Sequence, residues 1–187
     1  MEPNALQLTH AFLRRHVPRG GFCIDATAGR GRDTALLCQL VGPRGHVLAF
    51  DIQPEAVQCT RALVAERGYG AVATVLQRSH SRMADYAGPG QVDAIVFNFG
   101  YLPGGDKRIF TRAESSLAAV GQGLGLLRPG GVMSLCIYYG GPNGYAERDA
   151  LLAALRRVDS RRYSVLLCDY CNRPGDPPLA AFVVRDA

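Results

Sequence analysis

Two clusters of residues in this chain have types and spacings that could do chemistry. The first is Asp25-Ala26-Thr27-Ala28-Gly29-Arg30-Gly31, with Asp51 following 22 residues after Gly29. Two glycines one residue apart let the main chain turn sharply and let a ligand approach it, and a helix opening directly afterwards offers unpaired N–H groups. A carboxylate about 20 residues beyond such a turn is the usual grip on ribose hydroxyls. Together they describe a site for a nucleotide-like ligand. The second cluster is Asn98-Phe99-Gly100-Tyr101-Leu102-Pro103-Gly104-Gly105-Asp106-Lys107. An asparagine carbonyl, helped by neighbouring main-chain carbonyls, can accept hydrogen bonds from an amino group and aim its lone pair at an electrophile. Phe99 or Tyr101 could stack on a base or on a cation.

What surrounds the glycines selects the ligand. A dinucleotide fingerprint needs a third small residue where this chain has Thr34, and a pyrophosphate would be repelled by Asp25. S-adenosylmethionine carries no phosphate; it brings an ammonium, a sulfonium and a ribose, which an acid at Asp25 attracts. That combination points to S-adenosylmethionine and away from an NAD-dependent oxidoreductase.

These residues need a scaffold, and the apolar periodicity describes one. Asn4 can cap a first helix to about His16, whose basic exit (Arg14, Arg15, His16, Arg19) reads either as a phosphate contact or as a solvated helix end. A strand from Phe22 to Asp25, the glycine turn, a helix to Val41 and a strand from His46 to Phe50 follow. Pro54 opens a helix to about Arg67, and Val72 to Leu76 is a strand closing at Ser79-His80. Ligands of doubly wound sheets lie beyond the carboxyl ends of the strands, so Ser79 and His80 should border the adenine. Val92 to Phe97 delivers Asn98 to the same edge. Thr111-Arg112-Ala113-Glu114 reads as a capping box opening a helix to about Leu127, and its weak formers Gly121, Gly123 and Gly125 imply close packing. Then come a strand from Val132 to Tyr138, a loop whose Tyr139 could line or cover a substrate pocket, and a helix from Tyr145 to Val158. Two strands, Tyr163 to Cys171 and Leu179 to Val184, are joined without a helix, so they are antiparallel. The expected fold is α/β: a Rossmann-like, doubly wound, seven-stranded sheet, mostly parallel with one reversed strand near the C-terminus.

At 187 residues the chain suits one domain with a full core, residues 1–187. No apolar run approaches the ~20 residues of a membrane span and no signal-peptide core opens the chain, so a cytoplasmic protein is expected. The six cysteines mostly sit in apolar elements, and Cys168-x-x-Cys171 lacks a second ligand pair, so no metal is expected. Net charge is +5, and Lys107 is the one basic residue of 21 that is not arginine. Arginine suits phosphate recognition, which favours a polyanionic partner, although a solvated surface fits the same composition.

Asp25-Ala26-Thr27-x-Gly29-x-Gly31-x-Asp33-Thr34, Phe50-Asp51-Ile52-Gln53, Ser79-His80 and above all the segment from Asn98 to Lys107 carry a resemblance. Over essentially its whole length the chain resembles the class I S-adenosylmethionine-dependent methyltransferases. Within them it is similar to the small bacterial family long labelled rRNA methylases, MnmM-type enzymes associated with methylating the aminomethyl group on the wobble uridine of certain tRNAs. The resemblance implies that Asp25, Gly29, Gly31 and Asp33 hold the methionine end of the cofactor; Arg30 could pair with its carboxylate directly, and Arg32 is counted with them as cofactor-binding. Asp51 and Gln53 would hold its ribose, and Ser79 and His80 its adenine side. Asn98 would touch the cofactor and position the amine, with Tyr101 and Asp106 as the other catalytic groups; Tyr101, Lys107 and Tyr139 would contact the substrate, and Asp106 would take its proton. Two positions depart from the family pattern: Arg30 stands where a polar uncharged residue is usual, and Tyr139 where a histidine is common. The implied partner is a tRNA anticodon arm. The alternatives are methylation of rRNA or of a small-molecule amine, and a cofactor-binding protein without catalysis. The apolar C-terminal strand pair offers an edge at which two copies could pair.

Overall fold

The computed structural model describes residues 4–100, 111–140 and 144–187. Strands β1 (Phe22–Asp25), β2 (His46–Asp51), β3 (Ala73–Gln77), β4 (Val92–Phe99), β5 (Leu127–Ile137), β6 (Tyr163–Cys168) and β7 (Leu179–Arg185) form a seven-stranded sheet in the order β3-β2-β1-β4-β5-β7-β6. β1, β2 and β4 are near-continuous apolar runs because a parallel strand inside an α/β sheet is covered on both faces. Helices α1 (Ala5–His16), α2 (Arg32–Val41) and α3 (Pro54–Glu66) cover one face. A short 3-10 helix (His80–Asp85), α4 (Ala113–Leu126) and α5 (Gly144–Leu155) cover the other, over a core that includes Phe50, Phe97, Met133 and Leu135. The order reverses between β1 and β4, and a crevice at this switch point is where such sheets bind ligands.

The reversed strand is β7, as the helix-free connection requires, but it lies inside the sheet, antiparallel to both β5 and β6. That leaves β6 as the edge, ending at Cys168 rather than Cys171, with Val165, Leu166 and Leu167 exposed. The cysteines are all free. Among the described residues no helix is long and apolar enough to cross a membrane, and no cluster of three potential metal ligands occurs.

Two local expectations change in tertiary context. β4 runs to Phe99 rather than Phe97, because its pairing with β5 continues through Asn98↔Cys136 and Phe99↔Ile137. Asn98 is therefore a ladder residue and not part of a loop. The capping box at Thr111 does not form: α4 starts at Ala113 with Arg112 as an N-cap that makes no side-chain bond. The hydroxyl of Thr111 instead donates to Glu147 Oε2 (2.7 Å) and accepts the Gly100 N–H (2.8 Å). Glu147 is buried and its other oxygen takes the Ser116 hydroxyl at 2.6 Å. A buried carboxylate without donors is far more costly than an uncapped helix end, so it captures the threonine.

Of the three α4 glycines, Gly123 alone meets the expected close packing. A Cβ there would lie 2.6 Å from Met133 Cε, whereas Gly121 and Gly125 face open space. Gly121→Ala should therefore raise stability by about 0.5–1 kcal/mol through helix propensity and unfolded-state entropy. Gly123→Ala should show no such gain, since Met133 must move within a filled core. Urea midpoints of the two variants check this.

Candidate cofactor and substrate site

At the carboxyl edge of the sheet lies a cavity of about 790 Å³. Its shape begins with the turn after β1. Gly29 (φ +53°) and Gly31 (φ +79°) adopt the left-handed region that glycine enters without strain. A Cβ on Gly31 would lie 3.0 Å from the Thr60 main chain of α3, so the second glycine is also needed for close approach. The turn is tied down by Gly31 N–H to Ala28 O (2.7 Å), Ala28 N–H to Phe50 O (2.8 Å) and the Thr60 hydroxyl to Gly29 O (3.1 Å).

Asp51 at the end of β2 accepts the Gly29 N–H on Oδ2 and the Gln53 N–H on Oδ1, both at 2.9 Å. Each carboxylate oxygen has a second lone pair, so the two can also receive a pair of hydroxyls. The N-terminus of α2 opens beside them, with Arg30 and Arg32 exposed.

Asp33, in the first turn of α2 and nearly buried, is the junction of the site. Its Oδ1 lies 2.6 Å from His10 Nε2 of α1, and its Oδ2 accepts from Asn98 Nδ2 at 2.6 Å. The Asn98 main-chain N–H donates to Thr27 Oγ1 at 2.7 Å. A carboxylate facing the amide requires the NH₂ on that side, which fixes the flip of Asn98. Among the described residues no donor reaches the Asn98 carbonyl oxygen, and Asn98 lines the cavity.

Gly29, Arg30, Arg32, Asp33, Asp51, Gln53, Ser79, His80, Asn98 and Tyr139 all line the cavity. Asp25 and Gly31 do not. Asp25 is fully buried behind the turn, accepting the Thr34 hydroxyl (2.6 Å) and the Thr27 N–H (3.2 Å), so it braces the turn out of direct reach of a ligand in the cavity. Phe99 is likewise unavailable for stacking on a ligand: it is buried in the core, stacked on Phe97 at 4.9 Å. Tyr139 is nearly buried, with the Arg148 guanidinium 4.6 Å from its ring centre, whereas its neighbour Tyr138 is 40% exposed in the cavity wall. Tyr101, Asp106 and Lys107 lie outside the described residues.

Several lining residues carry no sequence signal. Leu6 comes from α1, Thr111 and Ser115 from the start of α4, and Asp176 and Pro178 from the segment between β6 and β7. His10 is a lone histidine on an amphipathic helix, and nothing in its local pattern marks it.

The electrostatics suit a cation. Burial, followed by the like charge of Asp33, pushes the Asp25 carboxyl up to about 7, against the lowering effect of its two hydrogen bonds. An ammonium placed among Asp25, Asp33 and Asp51 would relieve that repulsion, and ribose hydroxyls would meet Asp51; a pyrophosphate fits neither. Burial also holds the His80 imidazole below its ordinary value at the cavity wall.

The Asp25 shift has a measurable consequence. Between pH 4 and about 7 the folded protein holds a proton that the unfolded chain has lost, because Asp25 rises from 3.8 to about 7 on folding. The ligand-free protein should therefore lose stability as pH rises through that window and level off above it. Asp25→Asn should flatten the slope. Urea midpoints at several pH values test both.

Comparison with known proteins agrees with this geometry. Residues 47–184 match the family described as "Putative rRNA methylase". A chloroplastic tRNA (mnm5s2U34)-methyltransferase of Arabidopsis thaliana is 30% identical, over 97% of this chain and 70% of that protein. The crystal structure of a "putative rRNA-methylase" from Clostridium thermocellum matches with a TM-score of 0.96 at 34% identity over 99% of both chains. The crystal structure of a "putative methyltransferase" from Streptococcus mutans in complex with SAH matches at 0.89 and 28% identity, again over 99% of both. S-adenosylmethionine is the cofactor, and the chain belongs to the rRNA methylase family of S-adenosylmethionine-dependent RNA methyltransferases.

Proposed function

We propose that this protein methylates the exocyclic aminomethyl group of a modified wobble uridine in the anticodon arm of a tRNA. The observation that carries this reading is Asn98: a polar residue at the end of a buried strand, its amide fixed by Asp33 so that the carbonyl remains as an acceptor in the cavity. An acceptor held in this way suits an amine better than a hydroxyl or a carbon nucleophile, because an amine keeps N–H bonds to donate while its lone pair attacks. The tRNA relative supplies the particular amine and RNA.

Bound S-adenosylmethionine supplies a methyl group on a sulfonium. Asp51 and Gln53 hold its ribose, while Gly29, Arg30, Arg32 and the N-terminus of α2 receive its carboxylate. Asp25 and Asp33 favour its ammonium by charge, and Ser79 and His80 border the adenine. An alkylamine is mostly protonated near neutral pH, so a proton must leave before attack. Asp106 is assigned that proton, with Tyr101, Lys107 and Tyr139 toward the base. At about 790 Å³ the cavity is near the upper end of the ~300–1,000 Å³ of small-molecule sites, which leaves room beside the cofactor for a splayed-out base. Leu6, Tyr138 and Pro178 give that base apolar walls.

The test is incubation of the protein and radiolabelled S-adenosylmethionine with tRNA carrying aminomethyluridine, beside ribosomal RNA and small amines. Label entering the tRNA alone is the expected result. Label in ribosomal RNA or in free amines would move the substrate class, and cofactor binding without transfer would remove catalysis.

A further inference from the structure

We propose that His10 is a positioning residue for methyl transfer, acting from α1 through Asp33 on the amide of Asn98. The inference rests on the reading of Asn98 above. α1 is part of the site: Leu6 lines the cavity, and one and a bit turns later His10 reaches Asp33. The helix is well anchored. Asn4 and Gln7 form a reciprocal capping box at its start, Ala5, Thr9 and Leu13 are buried, and Ala5 packs with Cys136, Ala180 and Phe182 of β5 and β7. His10 is thus carried on an element fixed to the far half of the sheet.

The two contacts of Asp33 are equivalent in length, 2.6 Å to His10 Nε2 and 2.6 Å to Asn98 Nδ2, and they occupy different carboxylate oxygens. A carboxylate is an acceptor, so Nε2 carries the proton in this contact. With both oxygens held, the carboxylate plane cannot turn. Without His10, one oxygen loses its donor while the like charge of Asp25 remains close, and Asp33 is free to rotate away. Asn98 then loses what distinguishes its two ends. A flipped amide would present NH₂ to the methyl acceptor, donor against donor, and the amine would no longer be oriented for attack.

His10→Phe keeps the ring and deletes the donor; His10→Gln keeps a donor on the same helix position. In single-turnover methylation, His10→Phe should lower the rate by ~10- to 100-fold, the scale of a small misplacement of reacting groups. Its thermal midpoint should stay near that of the parent, and His10→Gln should recover most of the rate. A second readout needs no substrate. The Asn98 side-chain NH₂ pair in ¹⁵N–¹H spectra, assigned by its loss in Asn98→Ala, should shift or broaden in His10→Phe and return in His10→Gln. An unchanged Asn98 pair in His10→Phe, or equal loss of rate in both variants, overturns the proposal. If the parent protein methylates no RNA, the functional reading fails by itself, and the Asn98 resonances still decide the link to His10.

Discussion

Asn98→Ala is expected to lower methyl transfer by about 10²- to 10³-fold while leaving cofactor affinity nearly unchanged. As the amine attacks, positive charge develops on its nitrogen, and a carbonyl dipole already aimed at that nitrogen stabilises the charge without reorganising. Removing one such preorganised group typically has an effect of this size. Two features of the structure make Asn98 such a group. β4 remains paired with β5 through Asn98 and Phe99, which holds the backbone. Thr27 and Asp33 then hold the main-chain N–H and the side-chain NH₂, which leaves the carbonyl with one orientation. Single-turnover rates with radiolabelled cofactor, beside calorimetric affinity for the cofactor, separate chemistry from binding. A rate within a few-fold of the parent would remove Asn98 from the mechanism. Asn98→Asp is a sharper variant: it sets a second carboxylate against Asp33, and two carboxylates in hydrogen-bond contact cannot both ionise easily.

Asp51→Ala is expected to weaken cofactor binding by about 100-fold or more. Hydrogen bonds to a charged group contribute about 1.5–3 kcal/mol each, and each 1.4 kcal/mol is tenfold in affinity. The carboxylate also accepts the N–H groups of Gly29 and Gln53, so its removal leaves two main-chain donors without partners at the rim of the turn. The loss therefore combines missing ribose contacts with a loosened glycine turn. Asp51→Asn should fall between parent and alanine, since an amide retains one acceptor oxygen but presents NH₂ where the other stood. Calorimetry with S-adenosylhomocysteine measures both variants, and an affinity within about threefold of the parent would take Asp51 out of the ribose site.

The elements that build the cofactor half of the site were legible in the chain itself. A buried strand, two glycines at positive φ, a helix and a second strand ending in an acid are set by local sterics and apolar periodicity. β1, α2 and β2 accordingly sit where the pattern puts them. The family resemblance carried in Asn98 to Lys107 was also legible. Errors gathered where a local preference met a stronger distant partner. Thr111 abandons its capping role for buried Glu147, β4 gains Asn98 and Phe99 by pairing with β5, and Phe99 turns into the core. Tyr139 lines the cavity while packing against Arg148 and Tyr145, and its neighbour Tyr138 is the more exposed of the two.

Sheet-and-helix order, the glycine turn, the acid that follows it and the cofactor these imply could be read from the chain, because each depends on residues close together in it. What each polar group of the site touches could not. His10 meets Asp33 across 23 residues, Gly29 meets Asp51 across 22, Asp33 meets Asn98 across 65 and Asn98 meets Thr27 across 71. Contacts of that separation leave no periodic trace, since they are fixed by how the helices settle on a twisted sheet. They nevertheless decide that Asp25 braces the turn from behind, that Asp33 holds the Asn98 amide, and that a histidine of the first helix meets the same carboxylate.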